Sequence, residues 1–385
     1  MRLLNARLQG LGTTIFAEMS ALADRTGAIN LGQGFPDTDG PKEVIEAAVE
    51  AIRSGRGNQY PPGLGIAPLR AAVAEHQRRN YGLVWDPDRE VLVTAGATEA
   101  IAAALLALVE PGDEVIALEP YYDSYAAGIA MAGGVRIPVT LRAPDFALDL
   151  DELRAAITPR TRLLLLNSPH NPTGAVLTEP ELAAVAELAV RHDLLVISDE
   201  VYEHLAYTHE HRPLATFPGM RERTVSVGSA GKTFSFTGWK VGWVTGVPAV
   251  VDAVRTTKQF LTYVASGPFQ WAVAHALREL PDDYYVNIRD DLRRKRDLLC
   301  AALTDAGFTV FPPQGTYFVT TDIRSLGETD GLAFCRALPE RCGVVAVPNV
   351  VFYDHQEVGA AQVRFAFCKR DEVLAEAARR LRTLR

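Results

Sequence analysis

Short apolar runs alternate with polar or helix-forming stretches through the middle of the chain. The runs are EVLVTAG (90–96), EVIALEP (114–120), VRIPVTL (135–141), TRLLLLNSP (161–169), LLVISDE (194–200), TVSVGSAGK (224–232) and KVGWVTG (240–246). Several lack the polar alternation of a half-exposed strand, so they read as strands buried on both faces of a mainly parallel sheet. Strand–helix alternation on this scale implies an α/β layering with helices on both sides. Upstream, Asp39 and Pro41 open a helix with Val44, Ile45, Ala48 and Ile52 on one face and Gly55 to close it. A second helix runs from about Pro68 toward Gly82. Beyond about residue 281 the texture changes. A charge-rich helix from about Tyr284 to Ala306 is followed by FTVFPPQGTYFVTTDI, a helix near Asp330, strands in GVVAVPN and QVRFAFC, and a last helix from Asp371. The pattern predicts a large α/β domain over 41–280 and a small α+β domain over 281–385, with residues 1–40 as an N-terminal arm completing the small one.

At 385 residues and 48% hydrophobic content, the chain can bury a sizeable core without disulfides or a metal. Its 39 Lys plus Arg against 47 Asp plus Glu give a net charge of −8, which argues against nucleic acid as a partner. The basic run Arg379, Arg380, Arg382 and Arg385 suits a helix C-terminus, where cations complement the macrodipole. The longest apolar run, Ala100 to Val109, is far short of the roughly 18 residues a membrane span needs. Residues 1–20 hold no apolar signal-like core. Cys300, Cys335, Cys342 and Cys368 show no paired spacing and read as reduced thiols of a cytoplasmic protein.

In open parallel sheets, ligands sit beyond the C-terminal strand ends. The polar residues gathered there are Ala97–Thr98, Tyr121–Tyr122, Asn167 to Gly174, Asp199 to Tyr202 and Ser229 to Lys232. A carboxylate, an asparagine, a lysine, a hydroxyl and several aromatics suit a flat, anionic heteroaromatic ligand. A phosphate-binding P-loop is the rival reading of GSAGKT (228–233). It fails because Ser226 stands where the loop needs a glycine, and because FSFTGWK follows. His204, His209 and His211 lie close in sequence, but EHLAYTHEHRP is polar and turn-like, so it reads as a solvated loop with no metal.

Nine segments, in order, carry a resemblance across nearly the whole chain: LGQGFPD (31–37), NQY (58–60), VTAGATEA (93–100), EPYYDSY (119–125), NSPHNPTG (167–174), ISDEVYEHL (197–205), SAGKTFSFTGWKVGW (229–243), PQGTYF (313–318) and VRFAFC (363–368). Together they resemble the class I/II aminotransferases of fold-type I, which use pyridoxal 5'-phosphate. The branch most resembled holds kynurenine and methionine aminotransferases and actinobacterial N-succinyldiaminopimelate aminotransferases. The resemblance implies a seven-stranded, mainly parallel central sheet. It implies that Lys232 binds the cofactor covalently and shuttles the proton. Asp199 would pair with the pyridine nitrogen, while Asn171 and Tyr202 would donate to the ring oxygen. Tyr122 would stack on the ring. Gly96, Ala97 and Thr98, at a strand-to-helix turn, would hold the phosphate with Ser229 and Lys240. Many relatives carry arginine where Lys240 stands, so a point charge here replaces a planar fork. Tyr60 would reach the phosphate of a neighbouring subunit, implying a homodimer with shared active sites. Arg364 would bind the substrate α-carboxylate, assisted by the amide of Gly34, with Phe16 touching the side chain. The implied reaction moves the amino group of an L-amino acid to 2-oxoglutarate in two half-reactions. N-succinyl-L,L-2,6-diaminopimelate leads as donor; kynurenine, methionine or glutamine transfer, or carbon–sulfur β-lysis, are the alternatives.

Overall fold

The computed structural model describes residues 5–9, 12 and 14–384; Arg385 of the basic run lies outside them. Seven strands form the central sheet: β1 (Val91–Thr94), β2 (Glu114–Glu119), β3 (Val135–Thr140), β4 (Thr161–Asn167), β5 (Leu195–Asp199), β6 (Thr224–Ser229) and β7 (Gly242–Thr245). Their order is β1-β7-β6-β5-β4-β2-β3. Only β7 runs against its neighbours. All seven apolar runs therefore become strands, each trimmed where turn residues begin. Every residue of β1, β2, β6 and β7 is buried, as expected for strands covered on both faces. On one face pack the helices Gly96–Leu108, Asp123–Ala132 and Pro248–Lys258; the other carries Glu179–Arg191. Leu163, Leu164, Leu165 and Leu166 of β4 are at most 2% exposed, so each contributes about 1.5–3 kcal/mol through burial.

The helix expected after Pro41 is Lys42–Arg53, with Val44, Ala48 and Ala51 buried. Ile52, expected on the same face, is 48% exposed. It sits about 80° around the helix from Val44, past the edge of the packed stripe. The second helix is Ala67–Tyr81, with Gly82 as its left-handed cap at φ +70.

A second, antiparallel sheet contains β8 (Thr309–Phe311), β9 (Phe318–Asp322), β10 (Val347–Pro348) and β11 (Gln362–Ala366), in the order β10-β11-β9-β8. The helices Asp282–Asp305, Gly331–Cys342 and Asp371–Leu381 accompany it. A two-residue parallel pairing ties Ile29–Asn30 to Val344–Val345. One hydrophobic cluster joins Ile15, Met19, Ala23 and Leu31 to Phe318, Phe334, Val345, Phe365 and Leu374. The N-terminal segment thus packs with the C-terminal third. Arg379 and Arg380 pair with Glu376 in the last helix, and Arg380 also donates to the Gly343 carbonyl, in keeping with helix-end placement. The four cysteines are free. No helix among the described residues is long and apolar enough to cross a membrane.

Candidate active site

The carboxyl ends of β1, β4, β5 and β6 converge on a cavity of about 180 Å³. It is lined by Lys232, Asp199, Tyr202, Tyr122, Asn171 and Arg364, with Ala97, Thr98, Gly34 and Phe16 at its walls. A second cavity of about 220 Å³ shares Lys232, Tyr122, Ala97, Thr98 and Gly34 with the first, and adds Gly96, Ser229 and Lys240. Thirteen of the fourteen residues expected at the site therefore surround two connected spaces. Tyr60 is the exception: it is 81% exposed and packs edge-on against Tyr263.

Asp199, the last residue of β5, is 5% exposed. One carboxylate oxygen accepts from the Tyr125 hydroxyl at 2.5 Å and the other from the Val201 amide at 3.3 Å. Burial outweighs both and raises the acid to about 6. Such a carboxyl makes no salt bridge among the described residues, feels the Lys232 ammonium only at a distance, and suits a protonated ring nitrogen.

Lys232 lies in a four-residue helix, Ala230–Thr233, which follows β6 directly. That is too short for a P-loop helix, and the rival nucleotide reading falls with it. Lys232 Nζ donates to the Tyr317 hydroxyl at 3.0 Å, and that hydroxyl donates to the Gly34 carbonyl at 2.7 Å. Burial lowers the ammonium to about 8, close enough to neutrality to gain and lose a proton.

Arg364 stands in the middle of β11 and is 1% exposed. Nη1 donates to Asn171 Oδ1 at 2.9 Å and Nη2 to the Gly32 carbonyl at 3.0 Å. Its Nε is buried without a partner. Burial lowers the guanidinium to about 10, so it stays charged at neutral pH. Phe318 lies 4.0 Å from the guanidinium carbon, Phe16 5.2 Å and Phe352 5.3 Å. A buried cation with a free donor and aromatic walls calls for an anion. Because Asn171 spends its oxygen on Arg364, its amide nitrogen remains free to donate.

The phosphate-sized end is built by backbone. Gly96 begins the helix Gly96–Leu108 at φ +77, and a Cβ there would press on Lys240 at 3.3 Å. Gly242 is equally constrained, since its Cβ would lie 2.7 Å from the Gly96 backbone. Lys240 adopts the left-handed conformation (φ 54), uncommon for a residue with a Cβ. This glycine-lined helix start beside Lys240 suits a dianion. With the unpaired Asp199 and the poised Lys232, the donors fit pyridoxal phosphate.

The sequence reading missed four residues. Tyr125 sits inside EPYYDSY and Tyr317 inside PQGTYF, so their motifs were visible but not their hydrogen bonds. Phe318 ends the same PQGTYF segment, where its packing on Arg364 was not visible, and Phe352 lies outside every quoted motif. The EHLAYTHEHRP stretch also departs from expectation. It is turn-like, but Glu203 and His211 are buried and the His204 side chain is 10% exposed. Tyr285 covers it, with His204 and Tyr285 ring centroids 4.3 Å apart. His76, 128 residues away in sequence, meets it from below.

Fold and site together define a pyridoxal-phosphate enzyme of fold-type I. The family model "Aminotransferase class I and II" matches residues 26–381. The probable N-succinyldiaminopimelate aminotransferase DapC of Mycobacterium tuberculosis is 56% identical, with 98% of each chain covered. Methionine aminotransferase of Escherichia coli is 42% identical over 98% of each chain. The solved M. tuberculosis N-succinyldiaminopimelate aminotransferase superposes with TM-score 0.97 at 55% identity, covering 99% of this chain and all of that one. Thermus thermophilus aspartate aminotransferase gives 0.91 at 36% identity, with both chains fully covered. The chain belongs to the class I and II aminotransferases: it is an enzyme that transfers amino groups between amino and oxo acids with pyridoxal phosphate.

Proposed function

We propose that the amino donor is N-succinyl-L,L-2,6-diaminopimelate and the acceptor 2-oxoglutarate. The observation that carries the donor is the 56% identity, over nearly the full chain, to an aminotransferase named for that compound. The kynurenine relatives named for oxoglutarate support the acceptor. In this reading the chain works in the cytoplasm. Residues 1–40 and 281–385 form a small domain that packs against the large one, 41–280.

Each residue has a task in this reading. Gly96, Ala97, Thr98, Ser229 and Lys240 bind the cofactor phosphate, Tyr122 stacks on its ring, and Asn171 and Tyr202 donate to its ring oxygen. Bound there, pyridoxal phosphate supplies an electron sink for negative charge at the substrate α-carbon. Asp199 keeps the ring nitrogen protonated. Arg364, with the Gly34 amide, grips the α-carboxylate and orients the α-hydrogen toward Lys232. Lys232 Nζ takes that proton and delivers it on the far side of the transfer; its lowered basicity suits both directions. Phe16, which lines the cavity, touches the substrate side chain. Two chains form a homodimer in which the exposed Tyr60 reaches the partner's phosphate site.

The experiment is a donor panel with 2-oxoglutarate, read as kcat/KM. The expected result is a preference for the succinylated donor over methionine and kynurenine of at least about tenfold. A second reading, an aminotransferase for apolar or aromatic amino acids, is favoured by the Phe16, Phe318 and Phe352 walls around Arg364. A panel led by methionine or kynurenine would replace the first reading with the second.

A further inference from the structure

Three metal-ligating side chains meet on the far side of Tyr202 from the active site: His76 of the helix Ala67–Tyr81, and Glu203 and His204 of the turn after β5. His76 Nε2 lies 3.2 Å from His204 Nε2 and 3.5 Å from Glu203 Oε1, and His204 Nε2 lies 4.0 Å from the same oxygen. A point equidistant from these three atoms is about 2.1 Å from each, within the roughly 2.0–2.2 Å of zinc–nitrogen and zinc–oxygen bonds. The two imidazole centroids are 5.0 Å apart with planes at 74°, and without an ion the 3.2 Å approach of the two Nε2 atoms is a ring-to-ring hydrogen bond.

We propose that His76, Glu203 and His204 form a site for a divalent, nitrogen-preferring transition ion such as Zn²⁺. Water or a fourth ligand would enter from the adjoining cleft. Two imidazoles exclude calcium and magnesium, which take oxygen ligands. A second feature of the structure points the same way. Glu203 is 6% exposed, and its other carboxylate oxygen is buried with no hydrogen-bond partner. An anion held this deep needs a cation.

Metal on His76 Nε2 requires the ring proton on Nδ1. In this structure the Asn80 amide nitrogen lies 3.1 Å from that ring nitrogen and donates to the His76 carbonyl at 2.9 Å, so metal binding would require this amide contact to rearrange. A cleft of about 460 Å³, lined by Glu203, His204 and His211, gives an entry path. Arg289 and Arg293 on its rim oppose a cation, but both pair with Asp290, at 3.2 and 3.4 Å. The ion would clamp the helix Ala67–Tyr81 to the segment that carries Tyr202 into the active site.

The test is calorimetric titration of the chelator-treated holoenzyme with zinc chloride, alongside His76→Gln, His204→Gln and, as a control, His209→Gln. The expected result is one ion per chain. Each ligand variant should weaken binding at least as much as loss of a ligand's outer partner does, about 10–100-fold, while His209→Gln binds as the parent does. Retained visible absorbance of the cofactor reports that each variant is folded. Absence of stoichiometric zinc, or equal affinity in the parent and both ligand variants, would overturn the proposal. If the variants do not fold, anomalous diffraction from zinc-soaked crystals of the parent decides it. A peak among the three ligand atoms supports the site and its absence rejects it.

Discussion

Asp199 and Glu203 are buried carboxylates four positions apart on one stretch of chain, 5% and 6% exposed. Their acidities diverge: Asp199 is raised to about 6 and Glu203 lowered to about 2. Burial disfavours both anions, and their partners set the opposite directions. Asp199 has one phenol and one backbone amide, both neutral. Glu203 has two imidazoles. One acid faces neutral donors at the cavity, and the other faces imidazoles of its own chain with one oxygen still unpartnered. Asp199 thus leaves its acid without a charged hydrogen-bond partner at the cavity bearing Lys232 and Arg364, the proposed site of reaction.

The largest expected effect removes the amine proposed to bind the cofactor and move the proton. Lys232→Ala should lower turnover by at least about 1,000-fold, since no other amine lines the cavity among the described residues to move the proton. Steady-state rates with the best donor measure this. A variant retaining more than a tenth of the parental rate would assign the proton transfer to another group.

Arg364→Ala comes next. Its guanidinium is buried and its Nε unpaired, so in the proposed reading its loss removes the partner of the substrate carboxylate. The cost should be about 2–5 kcal/mol in kcat/KM, expressed chiefly in KM for the amino donor. Arg364→Lys should recover only part of this, because an ammonium cannot make the bidentate contact.

The two acids also make opposite demands on stability, which the apoprotein can reveal. Asp199 binds its proton more tightly folded than unfolded. Its contribution is complete below about pH 4 and is lost as pH rises through about 6, on the order of 3 kcal/mol. Glu203 is the reverse: its contribution holds above about pH 4.5 and is lost as pH falls toward about 2. Melting temperature against pH, free of cofactor and metal, should therefore rise between pH 6 and 7 in Asp199→Asn relative to the parent. Glu203→Gln should instead lose stability there and flatten the acid limb. Parallel profiles for both variants would abolish the distinction between the acids.

The same contrast explains what the sequence made legible. Residues contributed by one strand end, such as Asp199 after LLVIS, Lys232 after TVSVGS and Gly96 after VLVTA, are readable because buried strands and their turns announce themselves locally. Arg364 is readable as a charge inside an apolar strand. The His76–Glu203–His204 group is not, since one member comes from a helix 128 residues away and no local spacing encodes the meeting. Ile52 shows the same limit: helical periodicity places it near the buried face, but only the packed neighbours decide where that face ends. Tyr60 was readable as a motif, but it is 81% exposed, packs edge-on against Tyr263 and lines neither cavity.

The smallest effect tests a hydroxyl that no motif singled out. Tyr317 accepts from Lys232 Nζ at 3.0 Å and donates to the Gly34 carbonyl at 2.7 Å, so it links the lysine to the glycine loop beside Arg364. Tyr317→Phe keeps the ring, with its edge-on contact to Tyr202 at 5.3 Å, and deletes only these two bonds. The lysine loses an acceptor that holds its amine in place, and the glycine carbonyl loses a donor. At about 1 kcal/mol for such a bond, kcat should fall roughly fivefold. KM for the donor should change little, because Arg364 keeps its contacts to Asn171 and Gly32. If KM rose while kcat held, Tyr317 would be shaping the carboxylate pocket through Gly34 instead of positioning Lys232. If neither moved, its role would be packing alone, and the lysine's place would be set by the short helix after β6.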